Sequence, residues 1–213
     1  MKLFNKNNQD PAYSHKAVNG NNRIAKIKGI SSTLALLFLA PALALILTAH
    51  VFQSYEVDGD SMETTLQNSD RLIVNKFSKT LSNISGNEYV PNRYDVVVFD
   101  RPTQSSISSN VEHLIKRVIA LPGERVTVTN GIVTVFNQQN PEGFNPDEGR
   151  EYIETVSATE GEVDITVASG EIFVLGDNRF NSTDSRRFGS VSVDTLVGSV
   201  EFRFIPLNNT KRL

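Results

Sequence analysis

The chain has 213 residues, no cysteine, no tryptophan, three histidines and a formal charge of −3. Without cysteine it has no disulfide, no thiolate nucleophile and no cysteine-held zinc or iron–sulfur site, and His15, His50 and His113 are too scattered to suggest a histidine-based metal site. The mild acidity speaks against a dedicated nucleic-acid binder.

Residues 1–28 are polar and Asn-rich. They carry six basic residues (Lys2, Lys6, Lys16, Arg23, Lys26, Lys28) against Asp10 alone, a net +5. A segment of this composition buries too little apolar surface to fold, so a disordered tail is expected. The next 21 residues, 29–49, carry no charge. At about 1.5 Å per residue they are long enough for a hydrocarbon core of roughly 30 Å. Pro41 is tolerable in such a span, where neighbouring groups can satisfy the freed carbonyl. The run predicts a single transmembrane helix over 29–50. A cleaved signal peptide and a buried soluble helix are the blander readings. Ala40-x-Ala42 and Ala42-x-Ala44 do resemble cleavage sites, but they lie inside the apolar run, and a soluble helix so uniformly apolar is unusual. Positive charge before the span places the N-terminus in the cytoplasm. Residues 51–213, with fifteen basic and twenty-three acidic residues and a charge of −8, then lie outside.

That exterior segment reads as mostly β. Short β-branched runs recur between turn signals, at Arg71–Asn75, Tyr94–Asp100, His113–Leu121, Glu171–Leu175 and Val197–Ile205. Arg125–Thr129, then Asn130-Gly131, then Ile132–Phe136 predicts a hairpin, because Asn-Gly supplies the positive φ angles of a type I′ turn. Residues 137–150 form a polar loop containing Pro and Gly. No segment after residue 52 shows a long 3.6-residue apolar period, and there is no internal repeat.

Three segments carry candidate chemistry. In Asp58-Gly-Asp-Ser-Met-Glu-Thr-Thr-Leu66, Gly59 permits close backbone approach beside Ser61; on this segment alone Ser61 is as well explained as a turn residue as a nucleophile. In His113-Leu-Ile-Lys-Arg-Val-Ile-Ala-Leu-Pro-Gly123, a strand puts Leu114, Lys116 and Val118 on one face. Burial among apolar neighbours disfavours the ammonium and lowers a lysine pKa, and a neutral lysine can take the proton of a serine hydroxyl. The commoner fate of such a lysine is to snorkel to water. In Gly176-Asp-Asn-Arg-Phe-Asn-Ser-Thr-Asp-Ser-Arg-Arg-Phe-Gly189, an ordinary polar loop is the plain reading. Its side chains also suit a positioning network, with Asp177 pairing Arg117, Asp184 pairing Arg186, and Ser182 orienting a lysine amine.

SMETTL at 61–66, YDVVVFD at 94–100, KRVIALPGE at 116–124 and GDNRFNSTDSR at 176–186 occur together and in this order. In that combination the chain resembles the type I (leader) signal peptidases, membrane-anchored Ser/Lys proteases whose blocks read SMxPTL, GDxVVF, KRVxGLPGD and GDNxxxSxDSR. The resemblance implies Ser61 as nucleophile and Lys116 as general base, without cofactor or metal. It implies Ser182 as the serine that hydrogen-bonds the lysine, Arg117–Asp177 and Asp184–Arg186 as supporting ion pairs, and Gly59 and Met62 as residues by the substrate cleft. The implied fold is an antiparallel β catalytic domain with an inserted β region, here about 124–169 and short for the family. The implied partners are preproteins with signal peptides ending in small-x-small (Ala-x-Ala) sites, the lipid bilayer and the protein translocation machinery; the implied location is the plasma membrane. Phe52, Tyr55 and Met62 stand close enough to the span to contact the lipid interface, though aromatic residues there can equally simply pack.

Three positions depart from the pattern. Thr64 replaces the proline of SMxPT, which removes a rigid φ angle just after the nucleophile. Ala120 stands where glycine is common. Gly59 stands where some members carry a serine whose hydroxyl assists the oxyanion, leaving the backbone N–H of Ser61 as the nameable donor. A soluble self-cleaving repressor built on a related Ser–Lys domain lacks a place for the 21-residue apolar run. A non-catalytic anchored β domain has no need for Ser61 and Lys116 to be close in space.

Overall fold

The structure is a computed structural model that describes residues 35–45, 51–86, 88–102, 111–152, 158–205 and 211–212. The predicted cytoplasmic tail and the two ends of the predicted anchor lie outside the described residues. Residues 35–45, within the apolar run, form helix α1 with every side chain exposed. Among the described residues no helix is long and apolar enough to cross a membrane.

Residues from 47 onward form a separate compact unit. It is built on antiparallel strands, as the β-branched runs predict. Its large sheet has the order β1 (Phe52–Glu56), β2 (Arg71–Asn75), β10 (Leu196–Ile205), β3 (Val96–Pro102), β4 (Val111–Ala120), β8 (Glu171–Leu175) and β9 (Val191–Ser192), with β11 (Lys211–Arg212) also pairing β10. A smaller sheet joins β5 (Arg125–Thr129), β6 (Ile132–Phe136) and β7 (Val163–Thr166). The β5–β6 turn is the predicted one, with Asn130 at φ 53° and Gly131 at φ 81°, the double positive φ that a type I′ turn requires.

The central strands are apolar without alternation because both of their faces are covered. On β3, Val96 and Val98 join one core cluster with Val57, Met62, Leu66, Leu72, Val74 and Val200, while Val97 and Phe99 join another with Val118, Ile172 and Val174. On β8, Ile172 and Val174 face that second cluster, and Phe173 and Leu175 pack against the valines of the small sheet. Among its described residues the unit also holds two short helices, α2 (Phe77–Ser85) and α3 (Ser185–Phe188), and a 3-10 turn at Val193–Thr195. Helix α2 is compatible with the absence of a long helical period after residue 52. Phe77, Leu81 and Ile84 do recur at helical spacing, but over only nine residues, too few for the periodicity to stand out.

Candidate active site

Ser61 lies in the connection between β1 and β2, and that connection is closed at its neck. Val57 N–H donates to the Asp70 carbonyl (2.9 Å) and Ser69 N–H to the Val57 carbonyl (2.8 Å). Inside the loop, Met62 and Leu66 are 1% and 0% exposed and serve as its apolar anchors. Met62 therefore belongs to the core beneath the nucleophile, which corrects the expectation that it meets the lipid interface. Leu66 N–H donates to the Met62 carbonyl (2.9 Å), winding one helical turn just after Ser61. From β10, buried Arg203 reaches the Thr65 carbonyl (2.9 Å) and the Asp70 carboxylate (3.3 Å).

Gly59 has φ +100°, and a Cβ built on it meets nothing within 4 Å. Its glycine is required by backbone conformation, not by the close approach expected from sequence. Its N–H donates to Asn68 Oδ1 at 3.0 Å. The Glu63–Thr64 peptide is cis. Thr64 Oγ1 donates to the Tyr152 carbonyl at 3.1 Å, a bond that the proline of the related motif cannot make.

The close approach occurs instead at Gly176, where a Cβ would overlap the Ser61 carbonyl oxygen and Ser182 Oγ. The segment that follows grips the nucleophile loop. Asn178 N–H donates to the Ser61 carbonyl (3.1 Å), and its Nδ2 donates to the Asp60 carbonyl (3.1 Å).

Lys116 comes from β4, paired with Val97 of β3. Leu114 and Val118, its predicted row-mates, pack in the apolar cluster around Phe99. Lys116 is 3% exposed, and its Nζ donates to Ser61 Oγ and to the Ile115 carbonyl, both at 2.8 Å. Burial pushes its pKa down to about 8; Asp184, Glu112 and Asp177 pull the other way with less effect. A buried amine with a pKa near the working pH, within hydrogen-bond reach of a hydroxyl, can act as a general base.

Arg117 and Asp177 form a fork-on-fork ion pair, Nε to Oδ1 at 2.8 Å and Nη2 to Oδ2 at 2.6 Å, with side chains 8% and 0% exposed. Geometry of this kind satisfies both charges in a low-dielectric setting. Arg117 Nη1 also donates to the carbonyl of Tyr94 (2.9 Å), a non-glycine residue at φ 76°, so a strained backbone position faces the pair. Thr65 Oγ1 donates to Asp177, which ties the nucleophile loop to it.

Asp184 and Arg186 form the second pair, with two bonds of 2.8 Å. Asp184 also accepts from the Gly176 N–H at 3.1 Å and from the first turn of α3, closing the 176–186 segment on itself. Burial pushes its carboxyl up, but Arg186 and the Gly176 amide outweigh this and hold it below the usual carboxylate range. Ser182 is 8% exposed. Its Oγ lies against Gly176 and beside the Asp184 carboxylate, whose pKa it helps to hold down, and it makes no bond to Lys116. The expected bond from Ser182 to the lysine amine is thus not formed in this conformation.

Two further groups gave no functional signal in the sequence. Arg179, 1% exposed, donates through Nε to the Gly176 carbonyl (2.9 Å), through Nη1 to Thr159 Oγ1 (3.1 Å) and to Asp147, and through Nη2 to Asp147 Oδ1 (2.6 Å). Asp147 belongs to the polar loop expected over 137–150. Tyr152 lays its ring 4.0 Å from the Arg117 guanidinium carbon, and Arg150 stacks on Tyr94 at 3.8 Å. Burial raises the Tyr152 phenol above its ordinary range, so it stays neutral where Lys116 titrates. Arg179 stands inside the quoted motif and Asp147 twenty-nine residues before it; no pattern links them in one sequence.

Comparison with known proteins covers most of the chain. Residues 30–205 match the family described as signal peptidase, peptidase S26. Signal peptidase I of Bacillus caldolyticus is 35% identical over 79% of this chain and 88% of its own length. A probable signal peptidase I-1 of Synechocystis is 33% identical over 86% of this chain and 87% of its own. Signal peptidase I T of Bacillus subtilis is 31% identical over 82% of this chain and 84% of its own.

Proposed function

Since the chain belongs to the peptidase S26 family of signal peptidases and is a serine endopeptidase, we propose that it removes N-terminal signal peptides with Ser61 as nucleophile and Lys116 as general base. The observation that carries this reading is the 2.8 Å contact between Lys116 Nζ and Ser61 Oγ. It also weighs against a non-catalytic binding domain, which has no use for the pairing.

In this reading, neutral Lys116 accepts the Ser61 proton as Oγ attacks the scissile carbonyl. The tetrahedral oxyanion is held by the Ser61 N–H. Lys116 then gives its proton to the leaving amine, and the bond to the mature chain breaks. Lys116, neutral again, deprotonates a water that attacks the acyl carbonyl; the bond to Ser61 Oγ breaks, the signal peptide leaves as a carboxylate, and Lys116 returns its proton to Oγ. Arg117–Asp177 and Asp184–Arg186 are positioning pairs: the first is tied to Thr65 beside the nucleophile, and the second holds the segment that carries Gly176 against the Ser61 carbonyl. Ser182 is assigned to orienting the amine during turnover.

The substrate is an extended chain with small residues at the first and third positions before the bond. It pairs its backbone with a sheet edge and places alternate side chains in two shallow pockets. The open space beside Gly59 is consistent with a cleft on that side of Ser61. The family is membrane-associated; for this chain we assign residues 29–50 as the anchor, the basic tail to the cytoplasm and residues 51–213 to the exterior face of the plasma membrane, where preproteins emerge.

The test is cleavage of a preprotein by the full chain and by Ser61→Ala and Lys116→Ala. Both variants should be folded and inactive. Activity retained in either one overturns the assignment.

A further inference from the structure

Helix α2 is amphipathic the wrong way round for a protein surface. Phe77, Leu81 and Ile84 recur at i, i+4 and i+7 and so form one stripe, yet they are 50%, 52% and 79% exposed. The side that meets the domain is polar. Lys79 Nζ donates to the carbonyls of Asp194 (2.7 Å) and Leu196, and none of the nine residues is buried. A helix that offers polar groups to its own protein and its apolar stripe outward needs an apolar partner.

The start of the helix shows what that partner is. Lys76, the N-cap of α2, donates its backbone N–H to the carbonyl of Val51 at 2.7 Å, and Phe52 of β1, 46% exposed, pairs with Asn75. Val51 stands two residues beyond the 21-residue apolar run that ends at Ala49. Two residues of extended chain reach at most about 7 Å. If the run crosses a bilayer, the first turn of α2 is therefore held at the bilayer surface by chain length alone. The segment 76–85 contains no acid; of its two lysines, Lys79 turns into the domain and Lys76 stays at the exposed N-terminal end, a charge that suits an anionic leaflet.

We propose that α2 is an interfacial helix that lies on the lipid bilayer, with Phe77, Leu81 and Ile84 among the upper acyl chains. The proposal rests on the reading of residues 29–50 as the anchor. It gives the catalytic unit a second attachment, which fixes its orientation where a single span leaves it free to swivel. Amphipathic helices bind in this way through buried apolar area together with attraction to anionic headgroups.

The absence of tryptophan permits a direct test. The full-length Leu81→Trp variant is reconstituted in vesicles of phosphatidylcholine and phosphatidylglycerol, with or without brominated acyl chains. Ile132→Trp, at the exposed tip of the β5–β6 hairpin, is the control. The expected result is a blue-shifted emission for residue 81 that loses most of its intensity in brominated vesicles, with neither effect at residue 132. Unquenched emission at 81 overturns the proposal; if that emission is nonetheless blue-shifted, a protein surface covers the helix instead. Equal quenching at 132 also overturns it. Carbonate extraction of the same vesicles tests the anchor separately: release of the chain overturns the span, while quenching at 81 before extraction still decides the helix. As a second readout, replacing Phe77, Leu81 and Ile84 by serine should slow cleavage of a membrane-inserted preprotein and leave cleavage of a soluble peptide unchanged. Equal rates on the preprotein count against the helix.

Discussion

Arg179 and Asp147 meet with both terminal guanidinium nitrogens on the two carboxylate oxygens, the arginine side chain 0% exposed and the aspartate 13%. Arg179 also holds the Gly176 carbonyl and Thr159. One buried side chain thus joins the loop before β7 to the segment that grips the nucleophile. Removing one partner of a buried pair leaves an uncompensated charge, at a cost of about 3–5 kcal/mol. Asp147→Ala should fall in that range by denaturant unfolding, and Arg179→Met added to Asp147→Ala should recover part of the loss. A cost below about 1 kcal/mol, the range of a surface pair, contradicts a buried clamp.

The pH dependence follows from Lys116. Its pKa, pushed down to about 8 by burial, sets the fraction of neutral base, so kcat/KM should rise tenfold per pH unit below about 8 and level off above it. Lys116→Arg should be inactive at every pH, because arginine stays charged. The stability sign is separate. The folded pKa lies below the unfolded 10.5, so below about pH 8 the native state carries a buried ammonium at full cost, and that cost disappears as pH rises toward 10.5. Lys116→Met should therefore be more stable than wild type at pH 7, by a margin that shrinks between pH 8 and 10.5. A margin independent of pH excludes this linkage.

At Gly176 there is no room for a side chain between the Ser61 carbonyl and Ser182. Gly176→Ala should push the nucleophile loop away from Lys116 and lose activity by orders of magnitude, since small misplacements of a reacting group are costly. A crystal structure of the variant with an unmoved Ser61, or wild-type turnover, runs against this.

Ser182 gives the opposite pattern. Its hydroxyl is buried with only a loose contact to the Asp184 carboxylate, so Ser182→Ala should change stability little. If the hydroxyl orients the amine during turnover, kcat falls and the acid limb of the pH profile moves. An unchanged kcat and profile leave Ser182 a packing residue.

Tyr152 covers the Arg117 guanidinium at 4.0 Å, a cation–π contact worth up to about 2 kcal/mol when desolvated. Tyr152→Ala should lose that much stability or more, whereas Tyr152→Phe keeps the ring and should stay close to wild type in unfolding experiments. Equal losses in the two variants point to the hydroxyl instead.

The sequence by itself determined the β character and the Asn130-Gly131 turn, while Ser61 and Lys116 stood out only through the resemblance carried by four motif blocks in order. The first two are written in local chemistry, β-branched runs in strands and positive φ at Asn-Gly; the apolar row around Lys116 left burial and snorkelling both open, and the fold decided for burial. The short helix α2 escaped because nine residues hold too few turns to show a period, and Gly59 was read for the wrong reason because φ and crowding leave the same letter in a sequence. The tertiary structure alone decided which side chains are clamps. Arg179 finds Asp147, Arg203 finds Thr65 and Asp70, and Tyr152 finds Arg117 across separations that only the folded sheet closes. It also decided that the exposed face of α2 is its apolar one. Helical spacing defines a stripe, but whether that stripe faces the core or the outside is set by what packs against the helix.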